Sequence, residues 1–196
     1  MSDTGTSPQS TDLPDEAGRT PGFLWDDLCV QAGRIAAEEP CLRSLLKEVI
    51  LDQPCLGSAL GVRLARKLAR QDMPCDELIP LLGGLLRDHP ELVDSAVADL
   101  EAIRERDPAC TSALEPLLYY KGFLAITTYR VSHHLWNNGR RSMALYFQSL
   151  ASEVFGVDIH PASRIGSGIL LDHATSFVVG ETAIIEDNVS ILHEVT

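Results

Sequence analysis

The sequence is short of basic residues. Lys and Arg number 16 against 28 Asp and Glu, which gives a formal net charge of −12. A chain this acidic has no broad surface that could neutralise phosphates, which argues against a nucleic acid as partner but leaves room for a small anion in a local basic patch. The 196 residues, 45% of them apolar, are enough for one large domain or two small ones.

Signals for export, membrane insertion and disulfide bonding are also missing. The first twenty residues contain acidic side chains but no basic and apolar leader, and no apolar run approaches the roughly eighteen residues of a membrane-spanning helix. The five cysteines form no CxxC pair, and their odd number and wide spacing are typical of reduced thiols. These absences predict a cytoplasmic protein.

The composition divides the chain into three parts. Residues 1–21 are rich in Ser, Thr, Pro, Gly and Asp and predict a disordered acidic tail. Residues 22–156 place apolar side chains at helical spacing between prolines and predict an all-helical domain. Its helices are expected to run from residue 23 to before Pro40 and then at about 41–52, 55–71, 75–87, 90–105, 116–137 and 141–154.

Residues 157–196 follow a period of six instead. From Ile159 the blocks IHPASR, IGSGIL, LDHATSFV, VGETAI, IEDNVS and ILHEVT each begin with Ile, Leu or Val, and the third block is longer by two residues. Neither a helix nor a flat strand repeats every six residues. The period fits a short strand plus a corner, wound around a triangular prism with the first and fifth residues of each block pointing inward. This predicts parallel strands and an α+β fold.

Longer sequence motifs within these blocks resemble those of one protein family. The period of six is similar to the left-handed parallel β-helix of hexapeptide acyltransferases, in which three blocks form a coil, so about two coils are present. DIHPA, LDHAT and VVGETA, within residues 158–192, and RDPAC, residues 106–110, resemble bacterial serine O-acetyltransferase. The resemblance continues through PLLYYKGFLAITTYRVSHHLWNNGRR, residues 116–141, and is strong over residues 90–196.

The resemblance implies acetyl transfer from acetyl-CoA, as co-substrate, to the hydroxyl of L-serine, giving O-acetyl-L-serine for cysteine biosynthesis. It implies no bound cofactor. By position in the motifs, His173 corresponds to the general base and Asp158 to the carboxylate that orients it. Asp107 and Asp172 correspond to the residues that hold the serine amino group. The residues that bind acetyl-CoA would lie mostly beyond Thr196.

The chemistry asks for the same residue types. A serine hydroxyl is a poor nucleophile near neutral pH and needs a base such as histidine, whose second ring nitrogen a carboxylate can orient. Carboxylates are also the natural partners of a serine ammonium group. Simpler interpretations stay open, and they are His173 as an exposed turn residue, Asp158 as a turn cap and Asp107 as a turn former before Pro108.

A metal site is the alternative that the histidines raise. Hexapeptide proteins of the carbonic anhydrase type bind zinc through three histidines, and His160, His173 and His193 could be arranged in this way. The motifs around these histidines match the acetyltransferase instead, so no metal is predicted. His160 is interpreted as structural, and His133, His134 and His193 as structural or solvated.

The resemblance also bears on assembly. The family forms trimers that its helical domain joins into hexamers, and it binds O-acetylserine sulfhydrylase through a C-terminal tail. It continues past the position of Thr196 with further coils and a second active-site histidine. We therefore expect this chain to be an N-terminal portion that is inactive by itself. The alternative is a shortened, non-catalytic relative that serves only as an oligomerisation module.

Overall fold

The structure is a computed structural model that describes residues 21–193, so the predicted tail over residues 1–21 lies almost wholly outside it. The α-helices of its first part are α1 (Pro21–Glu38), α2 (Arg43–Leu46), α3 (Leu56–Leu68), α4 (Cys75–Asp88), α5 (Pro90–Arg106), α6 (Leu114–Tyr119), α7 (Lys121–Asn137) and α8 (Arg141–Phe155). A 3-10 turn at Pro40–Leu42 precedes α2, and a π-helical segment at Lys47–Leu51 follows it. None of these helices is both long and apolar enough to cross a membrane.

Proline and glycine account for several helix boundaries. Pro90 begins α5, where a missing backbone N–H costs nothing because the first amides of a helix have no partner within it. Gly156 ends α8 with a φ of 67°, in the left-handed region that glycine adopts without strain. The single helix predicted over residues 116–137 is wrong, because the extended backbone of Tyr120 separates α6 from α7. Apolar spacing continues across this break, so the sequence pattern does not show it.

After α8 the chain forms short strands. They are β1 (Val157–Ile159), β2 (Arg164–Ile165), β3 (Leu170–Leu171), β4 (Phe177–Val179), β5 (Ile184–Ile185) and β6 (Ser190–Ile191). β1 pairs with β4, β2 with β5 and β3 with β6, and all three pairs are parallel. Three two-stranded ladders are the three sides of a prism two coils high. The predicted α+β fold, with a left-handed parallel β-helix of about two coils, is confirmed.

The inward positions of the coils follow the predicted pattern except at the long third block. The first residues Ile159 and Leu171 are buried, and so is Ser163 at a fifth position. Thr175, the fifth residue of the third block, was expected to point inward but is exposed. Phe177 takes the inner place instead and is 2% exposed, because the two extra residues lengthen the corner before β4.

One apolar core runs from the helices into the coils. Phe123 on α7, Phe147 on α8 and Val157 on β1 are all buried in the same cluster. The last helix ends at Phe155, and β1 begins two residues later. The division into a helical domain over residues 22–156 and a coil domain after it stays a prediction, but α7 and α8 clearly form the platform for the first coil.

Candidate active site

The corner between β3 and β4, residues 172–176, has an unusual backbone. The Ala174 amide donates to the Asp172 carbonyl over 2.5 Å, which places His173 at the centre of a three-residue turn. His173, Ala174 and Ser176 have φ values of 54°, 55° and 56°. Left-handed backbone costs a non-glycine residue about 1–2 kcal/mol. Such residues persist only where surrounding contacts impose the conformation, and they cluster at functional sites.

The first turn of α7 supplies those contacts. Gly122 lies so close to the Leu171 carbonyl oxygen that a Cβ at this position would collide with it. Lys121 Nζ donates to Thr175 Oγ1 over 2.7 Å. Ala174 is fully buried next to the same turn. The N-terminal turn of α7 therefore fixes the base of the corner, and the tip of the corner projects into solvent.

His173 is at that tip. Its side chain is 74% exposed, and its Nε2 lies 3.5 Å from Asp172 Oδ2. Its ring centroid is 5.9 Å from that of His193. An exposed imidazole beside a carboxylate can accept a proton from a bound hydroxyl, and the carboxylate stabilises the imidazolium that results.

Asp158 lies elsewhere on the first coil. It sits on β1 between the buried Val157 and Ile159, and its Oδ1 accepts a 2.6 Å hydrogen bond from Gln148 Nε2 on α8. No hydrogen bond or ion pair joins Asp158 to His173 in the part of the chain that the structure describes. The single chain brings Asp172, rather than Asp158, next to the histidine.

Asp107 follows directly after α5 and shapes the turn there. Its Oδ1 accepts from the Ala109 amide over 2.9 Å, and its carbonyl accepts from the Cys110 amide over 3.0 Å. No hydrogen bond or ion pair among residues 21–193 connects it to the His173 corner. Burial, followed by the nearby Cys110 and Asp107, raises the pKa of Tyr120 to about 12, so the phenol beside this turn stays neutral.

The three histidines considered for zinc are not gathered into one cluster among the described residues. The His160 ring meets the edge of Trp136 at 5.1 Å between centroids, and its Nδ1 accepts from the Ala162 amide over 3.2 Å. His133 donates from Nδ1 to the Pro161 carbonyl over 2.7 Å. Both contacts fit a structural role for these histidines.

Sequence reasoning considered His193 only as a possible zinc ligand and did not single out Arg106. His193 lies one coil beyond His173, because β3 and β6 pair Leu171 with Ile191, an offset of twenty residues. The three blocks that form this coil are together twenty residues long, so the offset could have been predicted from the sequence. Arg106, the last residue of α5, donates to the Gly168 carbonyl over 3.1 Å and to Asn188 Oδ1 over 3.3 Å.

Arg106 also lines a surface cavity of about 320 Å³ between α5 and the coils. Its other walls come from the acidic face of α5 and from the corners of both coils, and they include Glu101, Glu105, Ser167 and Asp187. The arginine therefore links the end of the helix that precedes Asp107 to both coils.

Comparisons with known proteins agree with this architecture. A family profile described as "Serine acetyltransferase, N-terminal" matches residues 24–128. Probable serine acetyltransferase 3 of Oryza sativa subsp. japonica is 50% identical over 184 residues, which are 93% of this chain and 61% of the relative. Soybean serine acetyltransferase, solved in complex with serine, superposes with a TM-score of 0.86 at 48% identity, over 92% of this chain and 73% of that one.

A serine acetyltransferase solved in complex with CoA gives a TM-score of 0.86 at 46% identity, over 88% of this chain and 74% of that chain. The chain spans about three fifths of the length of the curated relatives it matches, with values of 61%, 58% and 60% for three from rice. The profile covers more than half of the chain, and the structural likeness extends through the coils. The chain belongs to the serine acetyltransferase family.

Proposed function

We propose that this chain carries the serine-activating part of an enzyme that transfers an acetyl group from acetyl-CoA to the hydroxyl of L-serine. The observation that carries the proposal is the exposed imidazole of His173, held beside Asp172 on a strained corner that α7 fixes. Relatives solved with serine and with CoA support the choice of the two substrates.

His173 acts as the general base in this proposal. The serine oxygen attacks the thioester carbon while the imidazole accepts the hydroxyl proton. The new C–O bond forms, the C–S bond breaks, and the leaving thiolate takes up the proton. A positioned base of this kind is worth about 10²–10⁴-fold in rate. No acyl-enzyme is needed.

The three aspartates have different proposed roles. Asp172 and Asp107 hold the serine ammonium, and Asp172 is placed to stabilise the His173 imidazolium as well, since its Oδ2 lies 3.5 Å from Nε2. Asp158 orients the His173 ring. In the single chain Asp158 is hydrogen-bonded through Oδ1 to Gln148, so this role requires a contact with the His173 ring that forms when substrate binds.

Assembly into trimers, and of trimers into hexamers, is also a proposal for the whole protein, together with an O-acetylserine sulfhydrylase partner and a cytoplasmic location. Large apolar side chains that are exposed in the single chain support assembly: Val30 on α1, Tyr119 on α6, Ile184 on β5 and Leu192 after β6. Light scattering on the purified protein tests the stoichiometry.

The activity itself is tested by measuring thiol release from acetyl-CoA with and without L-serine, together with mass spectrometry of the product. Serine-dependent thiol release and O-acetylserine support the proposal, and release without serine contradicts it. The expectation that residues 1–196 by themselves are inactive stays a prediction. Calorimetry with acetyl-CoA tests it, because saturable stoichiometric binding would contradict it.

A further inference from the structure

A second cluster of histidine and carboxylate side chains lies away from the His173 corner. His89 is in the turn between α4 and α5, Glu91 is in the first turn of α5, and His134 is in the last turn of α7. One ligand atom from each of the three lies within 4.8 Å of the others. The sequence separates His134 from the other two by more than forty residues, so only the packing of α5 on α7 brings them together.

The distances suit a small metal ion. His89 Nδ1 lies 3.2 Å from Glu91 Oε1. Two ligand atoms bonded to tetrahedral zinc at 2.0–2.1 Å are themselves about 3.3 Å apart. Since no separation in the cluster exceeds 4.8 Å, the ligand atoms would have to close by at most about 1.5 Å to reach this value. Partial exposure of His89 and Glu91, at 36% and 64% of their side chains, leaves both free to turn.

The contacts of His89 and His134 favour neutral imidazole rings, which can bind a metal ion, over charged imidazolium rings. The rings of His89 and His134 are 3.9 Å apart between centroids, a distance at which two imidazolium ions would repel each other. The Asn138 amide nitrogen lies 3.3 Å from His134 Nε2, and since an amide NH₂ can only donate, this ring nitrogen carries a lone pair.

We propose that His89, Glu91 and His134 bind a divalent transition-metal ion of the zinc type. Two neutral imidazoles and one carboxylate form a donor set that zinc uses with water in its remaining position. The ion would join the turn before α5 to the C-terminal end of α7. The N-terminal end of the same α7 holds the His173 corner, so the ion would fix the far end of the helix on which that corner rests.

The experiment is a titration of the chelator-treated, purified protein with zinc chloride by calorimetry and with cobalt chloride by visible absorption. The expected result is one ion per chain with the d–d bands of four-coordinate cobalt. Because the ion binds only the folded protein, zinc at 100-fold above its Kd should raise the melting temperature by about 5–10 °C. Glu91→Gln and His134→Gln should each weaken binding at least about tenfold, since even outer-shell changes at metal sites cost that much.

His193→Gln is the matched control, because His193 belongs to the other histidine pair, with His173. It should leave binding unchanged, and circular dichroism of every variant checks the fold. Loss of binding in His193→Gln would place the ion at the His173 corner and overturn the proposal. Full binding in Glu91→Gln, or absorption from thiolate-to-cobalt charge transfer, would overturn it too, the latter by pointing to the cysteines. An absence of binding below millimolar zinc has the same consequence.

Discussion

Arg130 on α7 and Asp99 on α5 form a buried, bidentate ion pair. Arg130 Nε lies 3.0 Å from Asp99 Oδ2, and Nη2 lies 2.8 Å from Oδ1. The same Nη2 donates to the Gly166 carbonyl over 2.9 Å, and Asp99 Oδ1 accepts from the Ile169 amide over 2.8 Å. Burial is the largest influence on the Asp99 carboxyl and raises its pKa, against the opposing effect of Arg130. The pair therefore fixes the first coil to two helices at once.

Asp99→Ala should lower the free energy of unfolding by about 3–5 kcal/mol, because it leaves the Arg130 charge buried without its partner. Chemical denaturation followed by circular dichroism measures the loss. Asp94→Asn, an exposed change on the same helix, is the control and should stay within about 0.5 kcal/mol of the parent. A loss below about 1 kcal/mol for Asp99→Ala would show that the pair does not secure the coil.

Gly122→Ala should lower both stability and turnover, because its methyl group collides with the Leu171 carbonyl that precedes the His173 corner. A forced backbone shift typically costs about 1–3 kcal/mol. Thermal unfolding and kcat are the measurements. Gly33→Ala on α1 is the matched control, since its Cβ meets nothing within 4 Å, and it should be neutral or stabilising by up to about 1 kcal/mol. Equal behaviour of the two variants would contradict the close approach.

His173→Ala should reduce kcat for acetyl transfer by about 10²–10⁴-fold in the whole protein, equivalent to about 3–5 kcal/mol of barrier lowering. Thiol release from acetyl-CoA at saturating substrates is the measurement. Asp158→Asn should cost less, because it removes only the orientation of the base. Thr175→Ala, at the same corner, should also cost less than His173→Ala. Undiminished activity in His173→Ala would rule out the general-base role.

Asp107→Ala and Asp172→Ala should raise the KM for L-serine far more than the KM for acetyl-CoA, since both carboxylates are proposed to bind the serine ammonium. Steady-state kinetics with each substrate varied in turn provide the comparison. Asp172→Ala should in addition lower kcat, because Asp172 is the carboxylate beside His173. Equal changes in both KM values would count against ammonium binding.

Much of the fold and part of the candidate site could be predicted from the sequence, because periodicity and turn chemistry are properties of neighbouring residues. The blocks that begin at Ile159 and Leu171 became stacked strands with those side chains buried, since a repeat of six allows one strand and one corner per block. Helix boundaries were expected at prolines, and α5 does begin at Pro90, because proline lacks the backbone N–H that a helix interior needs. His173 lies at an exposed corner, as its simpler interpretation as a turn residue expected, and its role as general base stays a prediction.

Only the tertiary structure decided the contacts between residues far apart in the chain. These contacts include the hydrogen bond between Lys121 on α7 and the outward-facing Thr175, and the one between Gln148 on α8 and Asp158. The break between α6 and α7 at Tyr120 was likewise visible only in the structure. The tertiary structure also brought His89 to His134. The spacing of residues along the sequence does not predict any of these features, because each depends on how whole helices pack against the coils and against one another. That packing is set by the shape of a shared core, to which residues throughout the described chain contribute.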